Sequence, residues 1–143
     1  MNDCDVAIKE LKSENRYGDL SVHCNEINII RTLPSSPNII KFFGVITAGE
    51  RVNYLVLELG TCNLDDLFYS KHQCTLRMQT AHVNNVCKQL LEIYSYMEQI
   101  KLYYGDFKLE NLLYFFSTDK IKLIDFGVAK TEKVPGYKAM ALT

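Results

Sequence analysis

Tyr104-Gly105-Asp106-Phe107-Lys108-Leu109-Glu110-Asn111 is the stretch on which the reading of this chain turns. Within six residues it offers a carboxylate, an ammonium and an amide, following an apolar-periodic segment that reads as a helix over residues 81–100. Taken alone, the octapeptide is also compatible with a charged surface turn. Asp125-Phe126-Gly127 begins 14 residues after Asn111, directly behind the short apolar stretch 121–124. An isolated Asp-Phe-Gly makes an ordinary β-turn as well. Its distance from the octapeptide is what carries information.

Toward the N-terminus, Val6-Ala7-Ile8-Lys9 lies in a short β-branched run, residues 5–11, that reads as a buried strand. A polar loop follows. Glu26 stands 17 residues after Lys9 on a helix expected over 19–33, where Leu20, Ile27, Ile30 and Leu33 share one face. Pro34 ends that helix, because it lacks an N–H and disfavours helical geometry at Leu33. Two strands are expected at 38–46 and 52–59, turning at Ala48-Gly49-Glu50. In the helix at 81–100, the residues Val83, Val86, Cys87, Leu90, Tyr94, Met97 and Ile100 form the expected apolar face. Stretches 112–116 and 121–124 read as a second hairpin.

In order and spacing these segments resemble the eukaryotic-type protein kinases of serine/threonine type, from residue 5 to residue 130. Val6-Ala7-Ile8-Lys9 is similar to their V-A-I-K strand, the octapeptide to H-R-D-L-K-P-E-N, and Asp125-Phe126-Gly127 to D-F-G. Pro37-Asn38-Ile39-Ile40-Lys41-Phe42 is similar to the segment entering their fourth strand, and Leu55-Val56-Leu57-Glu58-Leu59-Gly60 to their fifth strand and hinge. The resemblance implies ATP and magnesium (Mg2+) as cofactors and transfer of the γ-phosphoryl group to a protein hydroxyl. It makes Lys9 the contact to the α- and β-phosphates, oriented by Glu26. Asp106 would accept the substrate proton and Lys108 would steady the γ-phosphate. Asn111 and Asp125 would be the metal ligands. Ala7 and Leu113 would sandwich the adenine beside the gatekeeper Leu57, and backbone groups from Glu58 to Gly60 would hydrogen-bond it. Asp65 or Asp66 would reach the ribose, or serve only as dipole partners at a helix start. Ile30, Phe42, Tyr104 and Phe126 fall where kinases stack four side chains between lobes, a pattern that ordinary core residues fit equally.

The resemblance further implies an α+β, protein-kinase-like, partial two-lobe fold in a single partial domain over 1–143. Residues 1–58 would form an incomplete N-lobe without the glycine-rich loop, and 59–143 an incomplete C-lobe ending in the activation segment. Lacking its usual neighbour, the strand at 6–11 is expected to present an open edge for strand addition or dimerisation. Apolar faces of the 81–100 helix should likewise stay exposed. Gly105 replaces the arginine that many kinases pair with a phosphorylated loop residue. Tyr137-Lys138-Ala139-Met140-Ala141 aligns with Y-M-A-P-E, with Met140 and Ala141 in place of proline and glutamate. The alternative function is a catalytically inactive truncated kinase, or pseudokinase, acting as an interaction or regulatory module on a full-length partner kinase.

Composition bounds the remaining classes. A chain of 143 residues, 48% hydrophobic and 23% charged with three prolines, argues for a globular core. A formal charge of −1 supplies no field that would gather nucleic acid or an anionic membrane. The cysteines Cys4, Cys24, Cys62, Cys74 and Cys87 contain no C-x-x-C pair, and His23, His72 and His82 have no ligand spacing. Together with the lack of a secretory h-region, this points to an intracellular protein, cytoplasmic or nuclear.

Overall fold

The computed structural model describes residues 5–11, 21–48, 51–69 and 80–131. The polar loop through Tyr17, Leu20, the Gly49-Glu50 turn and the Tyr137 to Ala141 alignment lie outside them.

β-Branched and aromatic residues make up half of β1 (Val6–Glu10), β2 (Phe42–Ala48) and β3 (Arg51–Glu58) taken together, and most of β2. They pair antiparallel in the order β1-β3-β2, which places Ala7 opposite Leu57 and Lys9 opposite Leu55. α1 (Ser21–Thr32) lies between β1 and β2 in sequence and buries Glu26, Ile27, Ile29 and Ile30. Pro34 closes it as expected. The Leu33 N–H still reaches the Ile29 carbonyl at 3.1 Å, and the Thr32 hydroxyl donates back to the carbonyls of Asn28 and Ile29, so the last turn keeps its acceptors occupied.

The second sheet has the order β4-β6-β7, from β4 (Cys62–Asn63), β6 (Leu112–Phe115) and β7 (Lys120–Leu123). The last two form the expected second hairpin. α2 (Leu64–Tyr69) starts where the Asn63 side-chain oxygen accepts the Asp66 N–H at 2.7 Å. Asp65 and Asp66 occupy its first turn, beside the positive end of the helix dipole.

α3 (Thr80–Gln99) matches the expected span to within one residue at each end, but its buried stripe is Val86, Gln89, Ile93 and Met97. Val83, Cys87 and Tyr94 of the expected face are exposed, whereas Leu90 and Ile100 pack against the core from its margin. Three- and four-residue spacings on a helix define two adjacent stripes about 100° apart. The sequence pattern mixed them, and the polar Gln89 hid the true one.

Gln89 is buried because β7 has a free edge inside the protein. The Ile121 N–H donates to Gln89 Oε1 at 2.8 Å, and the Ile121 carbonyl accepts from Asn38 Nδ2 at 3.0 Å. Farther along that edge the Leu123 N–H donates to the Asn38 carbonyl at 2.8 Å, and the Ile40 N–H donates to the Leu123 carbonyl at 3.0 Å. A buried strand edge must find partners for its backbone groups. Here residues 38–40 and one helix side chain supply them. The same short segment enters β2, so it stitches the first sheet to the second. The Glu58 N–H adds a bond to the Lys41 carbonyl at 3.0 Å.

β5 (Leu102–Tyr103) pairs with β8 (Lys130–Thr131), so the chain beyond Gly127 returns to the start of the octapeptide. Phe126, Leu55, Leu64, Ile93, Leu112, Ile121 and Leu123 are fully enclosed at the centre. Among the described residues, no helix is long and apolar enough to cross a membrane. Leu91 and Tyr94 on α3 are 70% and 60% exposed, in keeping with the expectation that an apolar part of that helix stays open.

Candidate active site

Lys9 projects from the middle of β1 and meets Glu26 from α1, its Nζ lying 2.8 and 2.9 Å from the two carboxylate oxygens. The same Nζ is 3.3 Å from Asp125 Oδ2. The Glu26 side chain is 4% exposed, those of Lys9 and Asp125 are 35% and 43% exposed, so the chain of charges runs from the interior to an open surface. A carboxylate as buried as Glu26 requires a cation beside it. Lys9 is thereby held in one orientation with its ammonium at the Asp125 end.

Asp125 has a left-handed backbone, with φ of 60°. That conformation is unfavourable for a residue with a Cβ, and aspartate tolerates it by bonding to its own turn. The Gly127 N–H donates to Asp125 Oδ1 at 3.3 Å. This leaves Oδ2 turned toward Lys9.

The octapeptide folds into an extended loop followed by a 3-10 turn at Leu109–Asn111. Lys108 Nζ donates to Asp106 Oδ2 at 2.7 Å. Asn111 Nδ2 donates to both the carbonyl and the Oδ2 of Asp106, each at 2.9 Å. These bonds, that of Lys108 above all, hold the Asp106 carboxyl below its ordinary pKa, and the same bond raises Lys108. Asp106 is therefore ionised at neutral pH. Gly105 sits at φ of 84°, a conformation in which glycine avoids the cost of a Cβ.

Two bonds at one residue, Ile124, join the loop to the Asp125 turn. The Ile124 N–H donates to the Asn111 carbonyl at 3.0 Å, and the Tyr104 hydroxyl donates to the Ile124 carbonyl. Tyr104 is buried and packs edge-on against Phe126, with ring centroids 5.6 Å apart. Burial, then the charges of Asp125 and Asp106, push its phenol above the usual range, so it stays a neutral donor. The backbone of Asn111 is thus set beside Ile124, one residue before Asp125. Asn111 carries an amide oxygen and Asp125 a carboxylate, a pair of hard-oxygen donors of the kind magnesium takes.

Leu113 presses on Gly60: a Cβ added at Gly60 would fall 2.9 Å from Leu113 Cδ1 and 3.1 Å from its Cβ. Ala7, half-buried in β1, stands opposite the buried Leu57. The Glu58 side chain turns elsewhere. It accepts from Lys122 Nζ at 2.7 and 2.8 Å and from the Lys41 N–H at 2.6 Å, leaving only its backbone for the 58–60 segment to present. An open depression along α3, lined by Lys88, Leu91, Glu92, Ser95, Tyr96 and Gln99, contains none of these groups. Its walls come from a single helix, which makes it a surface furrow and not a cleft.

The sequence profile of the protein kinase domain matches residues 1–143. The chain belongs to the protein kinase family. Cyclin-dependent kinase F-4 of Oryza sativa subsp. japonica is 33% identical over 133 residues, covering 92% of this chain and 28% of that protein. Calcium/calmodulin-dependent protein kinase type 1 of Macrobrachium nipponense is 32% identical over 146 residues, covering 94% of this chain and 41% of that one. The chain therefore spans well under half the length of these relatives. A chain of the yeast RNA Pol II CTD kinase CTDK-1 complex superposes with a TM-score of 0.74 at 23% identity, over 88% of this chain and 39% of its own. The described residues thus form part of a protein kinase fold, of the expected α+β kind.

Three contributors to this kinase site carry no signal in the sequence motifs. Asn25 precedes Glu26 and binds the backbone of the Asp125 turn. Lys122, on β7, pairs with Glu58 while only 17% exposed. Gln89 reads as a polar interruption of an apolar face. Each acts through backbone groups or partners far away in sequence, which local spacing does not reveal.

Proposed function

We propose that this chain forms the ATP- and magnesium-binding centre of a protein serine/threonine kinase. The observation that carries the reading is the meeting of Lys9 with Glu26 and Asp125, residues that span most of the described chain, at 2.8 and 3.3 Å.

In this reading the Lys9 ammonium, fixed by Glu26, neutralises the α- and β-phosphates of ATP, while Ala7, Leu57 and Leu113 flank the base and the backbone from Glu58 to Gly60 hydrogen-bonds it. Asn111 and Asp125 hold magnesium, which supplies charge stabilisation to the transferring phosphoryl group. Asp106 accepts the proton of the incoming hydroxyl through a carboxylate kept ionised by Lys108, and Lys108 shares its remaining N–H donors with the γ-phosphate. A lysine two residues after the acid supports serine and threonine over tyrosine as acceptors. Asp65 and Asp66 serve α2 as dipole partners in this account.

The test is thermal denaturation with and without magnesium-ATP, followed by phosphate transfer to protein substrates carrying serine, threonine or tyrosine. Ligand that binds only the folded state raises the midpoint by mass action. The expected result is a metal-dependent rise that Lys9→Met abolishes, with transfer that Asp106→Asn abolishes. A parent protein whose midpoint ignores millimolar magnesium-ATP would sink the reading.

A second reading, a non-catalytic module that docks by strand addition, is favoured by β1. It lies at the edge of its sheet with Val6 and Ile8 40% and 57% exposed. Under that reading Asp106→Asn leaves biological activity intact and a proline at Ile8 removes it. The opposite pattern rejects it.

A further inference from the structure

Asn25 stands one residue before Glu26 on α1, half-buried, and the phosphoryl-transfer reading makes no use of it. Its Nδ2 lies 2.9 Å from the Gly127 carbonyl oxygen, 2.9 Å from that of Ala129 and 3.4 Å from that of Phe126. Three carbonyls of one turn point at a single nitrogen. A primary amide has two N–H donors, enough for the two short contacts with the third shared. Without that nitrogen the carbonyl dipoles would face one another across a partly buried gap, and the turn would open.

The turn is the one that orients Asp125. From inside it is closed by the Gly127 N–H on Asp125 Oδ1 and by the Ala129 N–H on the Phe126 carbonyl. Both bonds are internal to the turn and fix its shape, not its place relative to α1. Asn25 fixes its place. The neighbouring Glu26 grips Lys9, and Lys9 reaches Asp125 Oδ2 at 3.3 Å. Two consecutive helix residues therefore reach the same turn, one through charges and the other through the backbone. Movement of α1 strains both links together.

We propose that Asn25 is a positioning residue that locks the Asp125 turn to α1 and so presents the Asp125 carboxylate to magnesium. The inference rests on the reading of Asp125 as a metal ligand. Groups that orient a ligand without touching the metal typically change affinity by ~10- to 100-fold.

The test compares the parent chain with Asn25→Asp, Asn25→Ala and Asn25→Gln. Magnesium is titrated by calorimetry in the presence of ADP, and amide hydrogen exchange is followed over residues 125–131. Asn25→Asp keeps the shape and aims an anion at three carbonyls. It is expected to weaken magnesium binding by about tenfold or more and to speed exchange across the turn. Asn25→Ala gives the same effects more weakly, and Asn25→Gln, which keeps the amide, lies closer to the parent. Asn28→Ala on the exposed side of α1 is the control and leaves both readouts at parent values. If Asn25→Asp fails to fold, the Ala and Gln variants decide, and equal effects in the two overturn the proposal. Parent-like magnesium affinity in both Asn25→Asp and Asn25→Ala overturns the proposal while leaving the nucleotide reading intact. A parent chain that binds no magnesium with ADP overturns both, and is recognised because Lys9→Met then changes nothing either.

Discussion

Replacing Gln89 by leucine tests the account of how β7 is held. Gln89 is 2% exposed, and leucine is close to it in volume, so the substitution leaves no appreciable cavity. It removes an acceptor 2.8 Å from the Ile121 N–H and a donor 2.9 Å from the Asp119 carbonyl. Asp119 is exposed and water can replace its lost partner, whereas Ile121 is fully enclosed and its N–H is orphaned. An unsatisfied buried group costs about 1–3 kcal/mol, and the second bond adds about 0.5–1.5 kcal/mol where hydration does not restore it. With water replacing the second bond, a net loss of about 1–3 kcal/mol follows. For a chain of this size that lowers the melting midpoint by roughly 3–10 °C. Urea and thermal denaturation followed by circular dichroism give both numbers. Asn38→Leu adds a sharp check, because Asn38 Nδ2 serves the carbonyl of the same Ile121 and lies 3.5 Å from Gln89 Oε1. The double variant should lose less than the sum of the single ones. A Gln89→Leu protein within about 0.5 kcal/mol of the parent, an ordinary surface-mutation effect, would refute the reasoning.

Removing the Lys108 ammonium releases the bond that holds the Asp106 carboxyl low, so Lys108→Ala raises that pKa and moves the acid limb of the pH–rate profile to higher pH; an unmoved limb contradicts the assignment of Asp106 as proton acceptor. Tyr114 donates its hydroxyl to Asp119, and burial followed by that bond pushes its phenol up to about 12 from 10.0. A raised folded-state value means its stabilisation is complete below the unfolded pKa and is lost as pH climbs from 10 toward 12. Urea midpoints measured across that window should fall, and Tyr114→Phe should flatten part of the fall. Gly60→Ala forces Leu113 aside, since the new Cβ would lie 2.9 Å from Cδ1; the expected result is weaker ATP binding with about 1–3 kcal/mol lost from stability, read by nucleotide titration and urea denaturation.

What could be read from the sequence was whatever depends on neighbours in the chain. β1 was legible as a strand from Val6-Ala7-Ile8 but not as the buried strand expected, since at the edge of its sheet Val6 and Ile8 are 40% and 57% exposed; the stop of α1 was legible from Pro34. The β6–β7 hairpin was legible from two apolar stretches with a turn between them. The site was legible as residue types at fixed separations, and Lys9, Glu26 and Asp125 do converge, as do Asp106, Lys108 and Asn111. The buried face of α3 was not. Gln89 looks like a flaw in an apolar stripe until the edge of β7 is seen against it, and Tyr94 of the expected face is 60% exposed while its neighbour Ile93 is fully enclosed. Glu58 was expected to serve the base through its backbone. Its carboxylate, on which that expectation is silent, ties the segment to Lys122, an ion pair between residues 64 positions apart that no local pattern announces.

The contacts missed in the sequence share a purpose. Gln89 and Asn38 hold Ile121, Lys122 holds Glu58, Tyr104 and Asn111 hold Ile124, and Asn25 holds the turn at Gly127 and Ala129. All of them act on the path from β7 to β8, and that path carries Asp125. A carboxylate at a left-handed residue has little orientation of its own, since within its turn it accepts one long bond of 3.3 Å. Its direction is set by the rails on either side. The motif residues supply charge and hydrogen-bonding type, while these polar groups, several of them buried, supply position. Phosphoryl transfer depends chiefly on position. It follows that the substitutions most damaging to this site need not touch nucleotide at all, and that an intact set of motif charges is a necessary condition for function here but not a sufficient one.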